Sequence, residues 1–148
     1  MPRVERRAHV SWEGSSAKGT GQITADTGAF TSLPYTEPTR VGAPEGHTSP
    51  EELLAAAHAG CFAMSLAAEL TRVKAPPARL DVTSTVVLDE VPGRGHLVVE
   101  SQLRVRARAA VDPETFERVV AAADEGCTMS SLVKGSARVT IEADLEGT

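Results

Sequence analysis

Two cysteines, Cys61 and Cys127, are all that 148 residues contain, too few for the disulfide framework that staples small secreted domains. Aromatic residues are scarce too, at one Trp, one Tyr and three Phe. Trp12 and Tyr35 are too isolated to form a stacking platform for single-stranded nucleic acid. Each reads as a packing group, with Tyr35 also a candidate to line a pocket. No basic excess exists: the net charge is −5, which argues against a nucleic-acid partner. Arg104, Arg106 and Arg108 share one face of a strand by their spacing of two, and read as a solvated face. The first ten residues carry Arg3, Arg6 and Arg7 with no apolar run behind them, so the pattern of a signal peptide is missing. The longest apolar stretch, Leu53 to Ala68, is broken by His58 and Ser65 and flanked by Glu51, Glu52 and Glu69. That is short of the roughly 20 residues of a membrane span. The expectation is a soluble cytoplasmic protein with no membrane or nucleic-acid partner.

What is present suits a single globular domain: 41% hydrophobic and 24% charged residues, in a chain long enough to bury a core. Residues 1–33 read as an N-terminal meander, with strands at Arg6–Trp12, Thr20–Ala25 and Ala29–Leu33 separated by Gly-containing turns. Residues 34–48 hold three prolines, two glycines and Arg40 without periodicity, and read as a long structureless loop of the kind that carries function. Ser49-Pro50-Glu51-Glu52 is a helix start, with a capping-box spacing and proline at the first helical position. The helix it opens occupies residues 49–74 and is apolar nearly all round, the pattern of burial on most sides. Ala56 and Gly60, and likewise Ala59, Ala63 and Ala67, form columns of small residues that let another backbone approach. So short a chain has few elements to wrap such a helix, and a second subunit is the expected cover. Residues 79–148 then read as a β-hairpin turning at Pro92-Gly93-Arg94-Gly95, a helix from Asp112-Pro113, a short helical segment from Thr128, and a last strand Ala137–Leu145. The order predicts an α+β fold.

Cys61 lies inside the apolar helix, a position where a cysteine is ordinarily a small packed hydrophobe. Cys127 follows Gly126 at the start of a new helical segment, where the backbone favours a thiolate. His58, one turn before Cys61, admits a Cys–His dyad or half a metal site. No Gly-rich oxyanion loop accompanies it, and no second His/Cys pair has ligand spacing, so a buried, hydrogen-bonded structural histidine is expected. His9, His47 and His96 read as surface residues.

The run from Thr48-Ser49-Pro50-Glu51-Glu52-Leu53-Leu54 through His58-Ala59-Gly60-Cys61-Phe62-Ala63-Met64 resembles the signature of the OsmC/Ohr family of organic hydroperoxide reductases. Gly126-Cys127-Thr128-Met129-Ser130 sits where that family carries its second cysteine. His9-Val10-Ser11-Trp12-Glu13-Gly14, Pro34-Tyr35-Thr36-Glu37-Pro38-Thr39-Arg40 and the last strand fall in the family's order. His58 and the late position of Arg40 resemble the OsmC branch. Thr128 stands where the family commonly has proline and keeps a backbone N–H. A looser helix start is expected there, altering the rate of disulfide closure but not the chemistry.

The resemblance implies antiparallel sheets around a long buried central helix, in an intertwined homodimer with its active sites at the interface. It implies Cys61 as the attacking thiolate, Cys127 as its resolving partner, and Arg40 and Glu51 as the groups that poise it. It implies no cofactor and no metal, with an organic hydroperoxide as substrate and a dithiol, of lipoyl type, as reductant. These residue types make chemical sense. Burial raises a thiol's pKa, so Cys61 needs a compensating cation; Arg40 is permanently charged, and Glu51 can hold its guanidinium by a bidentate pair. Glu51 and Cys61 lie about 15 Å apart along one helix axis, which points to a composite site with the cysteine from the other subunit. Phe62, Met64, Leu53 and Met129 are expected to give the substrate an apolar lining. The alternative is a non-catalytic dimeric module that binds a lipid or acyl ligand.

Overall fold

The computed structural model describes residues 2–146, which divide into two compact units, one ending at Pro50 and one beginning at Glu51.

The first unit is a three-stranded antiparallel sheet of β1 (Ala8–Glu13), β2 (Thr20–Ala25) and β3 (Leu33–Tyr35) in that order, followed by the one-and-a-half-turn helix α1 (Glu37–Val41). Trp12 and Tyr35 cross over Gly21 with ring centroids 5.5 Å apart. A Cβ at Gly21 would come within 2.4 Å of the Tyr35 ring, so glycine is required and the aromatic pair packs as expected. Two expectations fail here. The third strand begins at Leu33, not Ala29, because residues 26–32 coil back on β2: Ala25 N–H donates to Phe30 O, Ser32 N–H to Thr24 Oγ1, and Ser32 has φ of 52°. The stretch 34–48 is not structureless either. Thr36 and Thr39 form a reciprocal capping box around Pro38, which starts α1 and places Arg40 in its last turn.

The second unit holds α2 (Pro50–Arg72), β4 (Arg79–Val91), β5 (Gly95–Arg108), α3 (Pro113–Gly126), α4 (Thr128–Lys134) and β6 (Arg138–Leu145). β5 is the central strand, antiparallel to β4 and parallel to β6. This sheet is therefore mixed and not antiparallel throughout: the chain returns from β5 to β6 through α3 and α4, and a crossover of that kind brings the strand back in the same direction. Asp112 caps α3 through Thr115 N–H at 2.8 Å. The core is one sheet face against two helices. Leu103, Val105 and Ala107 of β5 meet Phe62, Leu66 and Leu70 of α2 and Phe116, Val119 and Ala123 of α3. The opposite face is charged. Arg104 pairs with Glu142 and Asp144, Arg106 with Glu146, and Arg79 with Asp81, so the arginine stripe is a solvated face.

α2, 23 residues long, fills most of the expected span 49–74, and contrary to the reading of its apolar run it is by length and composition able to cross a membrane. Within the chain it is buried along one stripe, through Glu51, His58, Phe62, Leu66 and Leu70. Only 22% of its most apolar stretch is covered, so burial on most sides is not supplied by this chain.

A cluster of polar groups sits in the core. The fully buried His58 ring bonds Ser101 Oγ of β5 through Nδ1 at 2.6 Å and Ser130 Oγ of α4 through Nε2 at 2.8 Å, and Ser84 Oγ of β4 extends the chain to Ser101 at 3.0 Å. His58 is thus the hydrogen-bonded structural histidine its position suggested. Burial lowers its pKa from 6.5, with Asp124 opposing and Lys134 assisting. The neutral ring is the folded form, so stability is fully present above about pH 6.5 and declines as pH falls below it, when the unfolded chain binds the proton and the folded one does not. Thermal unfolding followed from pH about 7.5 to about 5.5 will show this decline. His58→Gln, which still hydrogen-bonds but cannot titrate, will be less stable at neutral pH and will show a flatter decline. Equal slopes in the two proteins would mean that His58 is not the sensitive group.

Candidate active site

Cys61 and Cys127 are brought together. Cys61 lies one turn after His58 on α2, at the margin of the core, and is half-buried. Cys127 is the hinge between two helices, as C-cap of α3 and N-cap of α4. Its backbone N–H donates to Asp124 O, and its sulfur, fully buried, accepts from Ser130 N–H at 3.4 Å. Both thiols are free. The pair is thus asymmetric, with one cysteine half-buried and the other fully enclosed.

The surroundings of Cys61 favour its charged form. Desolvation is the largest single influence and raises the pKa. Against it act the Thr128 side chain, the Met129 N–H, the Cys127 thiol and the Thr128 N–H, and together they leave the pKa below its ordinary value. The Thr128 hydroxyl is 3.5 Å from the Cys61 sulfur. These groups all stand at the junction of α3 and α4, so the second cysteine's turn also holds the first cysteine. That turn is fixed from below: the His58 to Ser130 bond ties α4 to α2, while Ser65 Oγ donates to Ala123 O at 2.7 Å and ties α2 to α3. An ion pair between Lys134 and Asp124 closes α4 onto α3.

The other two expected site residues are carried by α1 and α2. Arg40 is in the last turn of α1, in the first unit. Glu51 is buried in the first turn of α2, in the second. α2 is unbroken between Glu51 and Cys61, so their separation along its axis remains about 15 Å. Of the expected apolar lining, Phe62 is unavailable because it is fully buried in the core, whereas Met64 is 76% exposed. Residue spacing did not identify Ser101 and Ser130, since a buried serine partner is visible only once strand and helix are docked. Thr128 was expected to affect disulfide closure alone, but its hydroxyl lies on Cys61. Among the described residues, no three His, Cys, Asp or Glu side chains gather as a metal site.

The family model of OsmC-like protein matches residues 42–142. Peroxiredoxin OsmC of Escherichia coli (strain K12) is 32% identical over 144 residues, covering 97% of this chain and 98% of that protein. An organic hydroperoxide resistance protein of Xanthomonas axonopodis pv. citri (strain 306) is 31% identical over 102 residues, 68% of this chain and 69% of that protein. Among solved structures, the organic hydroperoxide resistance protein OhrB of Bacillus subtilis superimposes with a TM-score of 0.74 at 27% identity, over 93% of this chain and 98% of that one. With two facing cysteines on an α+β frame and likeness along nearly its whole length, the chain belongs to the OsmC-like family.

Proposed function

We propose that the protein is a cysteine-based peroxidase that reduces organic hydroperoxides to alcohols. The observation that carries this reading is the asymmetric thiol pair. Cys61 is accessible and has a lowered pKa, and Cys127 is enclosed within hydrogen-bonding reach of it. Nucleophilic attack needs a thiolate, and resolution needs a second thiol close by. The names of the Escherichia coli and Xanthomonas relatives support the same reaction class.

In the proposed cycle the Cys61 thiolate attacks the distal peroxide oxygen. The O–O bond breaks, the alkoxide takes a proton from solvent and leaves as the alcohol, and Cys61 becomes a sulfenic acid. The Cys127 thiol then displaces water to form the Cys61–Cys127 disulfide. A dithiol, of lipoyl type by family resemblance, returns both thiols by exchange. Arg40 supplies a permanent positive charge for the thiolate and the polarised peroxide, and Glu51 orients its guanidinium. Because Glu51 and Cys61 are about 15 Å apart on one helix, the working site takes its cysteine and its Arg40–Glu51 pair from different subunits of a homodimer. The exposed small-residue face of α2, with Gly60 open to contact and Met64 projecting, supports such an interface.

One equivalent of cumene hydroperoxide will remove about 2 Da from the reduced protein as the disulfide forms. Cys127→Ser will stop at a sulfenic acid and Cys61→Ser will not react. An unchanged mass with two titratable thiols would overturn the peroxidase and leave the lipid- or acyl-binding dimer as the better reading. Arg40→Met will lower kcat/KM at neutral pH by at least about tenfold, with part of the loss recovered as pH is raised, and Glu51→Gln will lower it less. Rates equal to the native protein's in both variants would remove this pair from the mechanism. Sedimentation will show a dimer for the native chain. Met64→Glu will shift it to monomer and abolish peroxidase activity together, and a fully active monomer would exclude the composite site.

A further inference from the structure

We propose that Thr128 is a catalytic residue, whose hydroxyl donates a hydrogen bond to the Cys61 sulfur throughout its attack on the peroxide. The inference deepens the peroxidase reading and rests on it.

The geometry comes from two neighbouring attachments between the same two helices. α2 presents His58 and Cys61 one turn apart on one face, and the first turn of α4 presents Ser130 and Thr128 to them. His58 Nε2 and Ser130 Oγ meet at 2.8 Å, and the Cys61 sulfur and Thr128 Oγ1 at 3.5 Å. The first contact is fully buried and fixes where the first turn of α4 sits. The second is a consequence of that placement, directed at the edge of the core where Cys61 is partly open. A β-branched side chain has few χ1 choices, so a threonine in this turn holds its hydroxyl on the sulfur better than a flexible donor would.

The chemistry gives the bond its direction. A thiolate has no proton to donate, so in the charged state the hydroxyl must be the donor and the sulfur the acceptor. Hydrogen bonding to the charged form opposes the desolvation that raises the thiol pKa, and Thr128 provides the largest of the lowering contributions at Cys61. Thr128 is itself exposed, so water screens the interaction and its effect is modest. Proline, common in the family at this place, has neither the hydroxyl nor the N–H. This chain therefore assigns to Thr128 part of the thiolate stabilisation that the Arg40 charge is also proposed to supply.

The test reads Cys61 directly. Reduced protein is alkylated with iodoacetamide across a pH series, and the rate at Cys61 is followed by peptide mapping in the native chain, Thr128→Val and Thr128→Ser. Valine keeps the shape and removes the hydroxyl, and serine restores it. In Thr128→Val the midpoint of the pH profile will rise by about half a unit, a roughly threefold loss of thiolate at neutral pH, with the high-pH plateau unchanged. Thr128→Ser will stay near the native midpoint. Coincident midpoints in native and Thr128→Val protein would overturn the hydrogen bond. A lowered plateau without a moved midpoint would do the same, since it reports altered access alone. Peroxide consumption measured in parallel separates the two levels of inference. A native chain inert to cumene hydroperoxide whose midpoint still moves in Thr128→Val would refute the peroxidase while supporting the bond. An active native chain whose kcat/KM is unaffected in Thr128→Val would refute the catalytic role of Thr128.

Discussion

The imidazole of His58 is enclosed in an apolar core, and each of its nitrogens is satisfied by a serine hydroxyl, one on β5 and one on α4. A buried polar ring without partners costs several kcal/mol, so α2, the central strand and α4 can take only the relative positions that preserve both bonds. The apolar contacts of Phe62, Leu66 and Leu70 supply the larger part of the driving force, but such contacts tolerate sliding. The serine–histidine–serine chain does not. Everything at the cysteine pair follows from that restriction. With Ser130 fixed, the turn at Cys127 is fixed, and with it the group of donors that surrounds Cys61.

The two thiols differ because of where the helix ends fall, not because of their local sequence. Cys127 is a cap shared by two helices, and its sulfur is occupied by the Ser130 N–H. Cys61 is at mid-helix, where its own backbone donors are engaged within the helix, and it depends on groups brought from the other end of the unit. A mid-helix cysteine at a core margin would ordinarily be a poor nucleophile. Here the donors of the α3–α4 turn together outweigh desolvation. The lowered pKa of Cys61 is thus a tertiary property.

Much of this fold was legible in the sequence, and the reasons differ by element. α2 and α3 announce themselves through Pro50 and the Asp112-Pro113 start, since capping chemistry is local. The β4–β5 hairpin is equally local, marked by alternation on both sides of Gly93 and Gly95, whose φ angles are 77° and 79°. α1 was missed because a five-residue helix has no periodicity to detect and its box uses threonine in place of the usual glutamate. The start of β3 was misplaced because Ala29 and Phe30 look strand-like while their backbone is committed to the turn below β2. The parallel pairing of β6 with β5 is a matter of how the chain returns, which no local pattern records. At the site, the two cysteines were visible through their motifs. Ser101, Ser130 and the contact of Thr128 with Cys61 were not, because a hydroxyl gains its meaning only from what is docked against it.

The outer face of the second sheet carries a consequence for how the molecule meets others at a distance. Arg79, Arg104, Arg106 and Arg108 alternate with Asp81, Glu142, Asp144 and Glu146 across three adjacent strands. Four charges of each sign share this tile, with Arg79, Arg104 and Arg106 in ion pairs, so it has almost no monopole, and its field dies away faster than that of a lone charge. The net charge of −5 is therefore expressed by the remaining surfaces. To an approaching solute the protein presents one electrically quiet side, and long-range orientation is governed by the sides that are not.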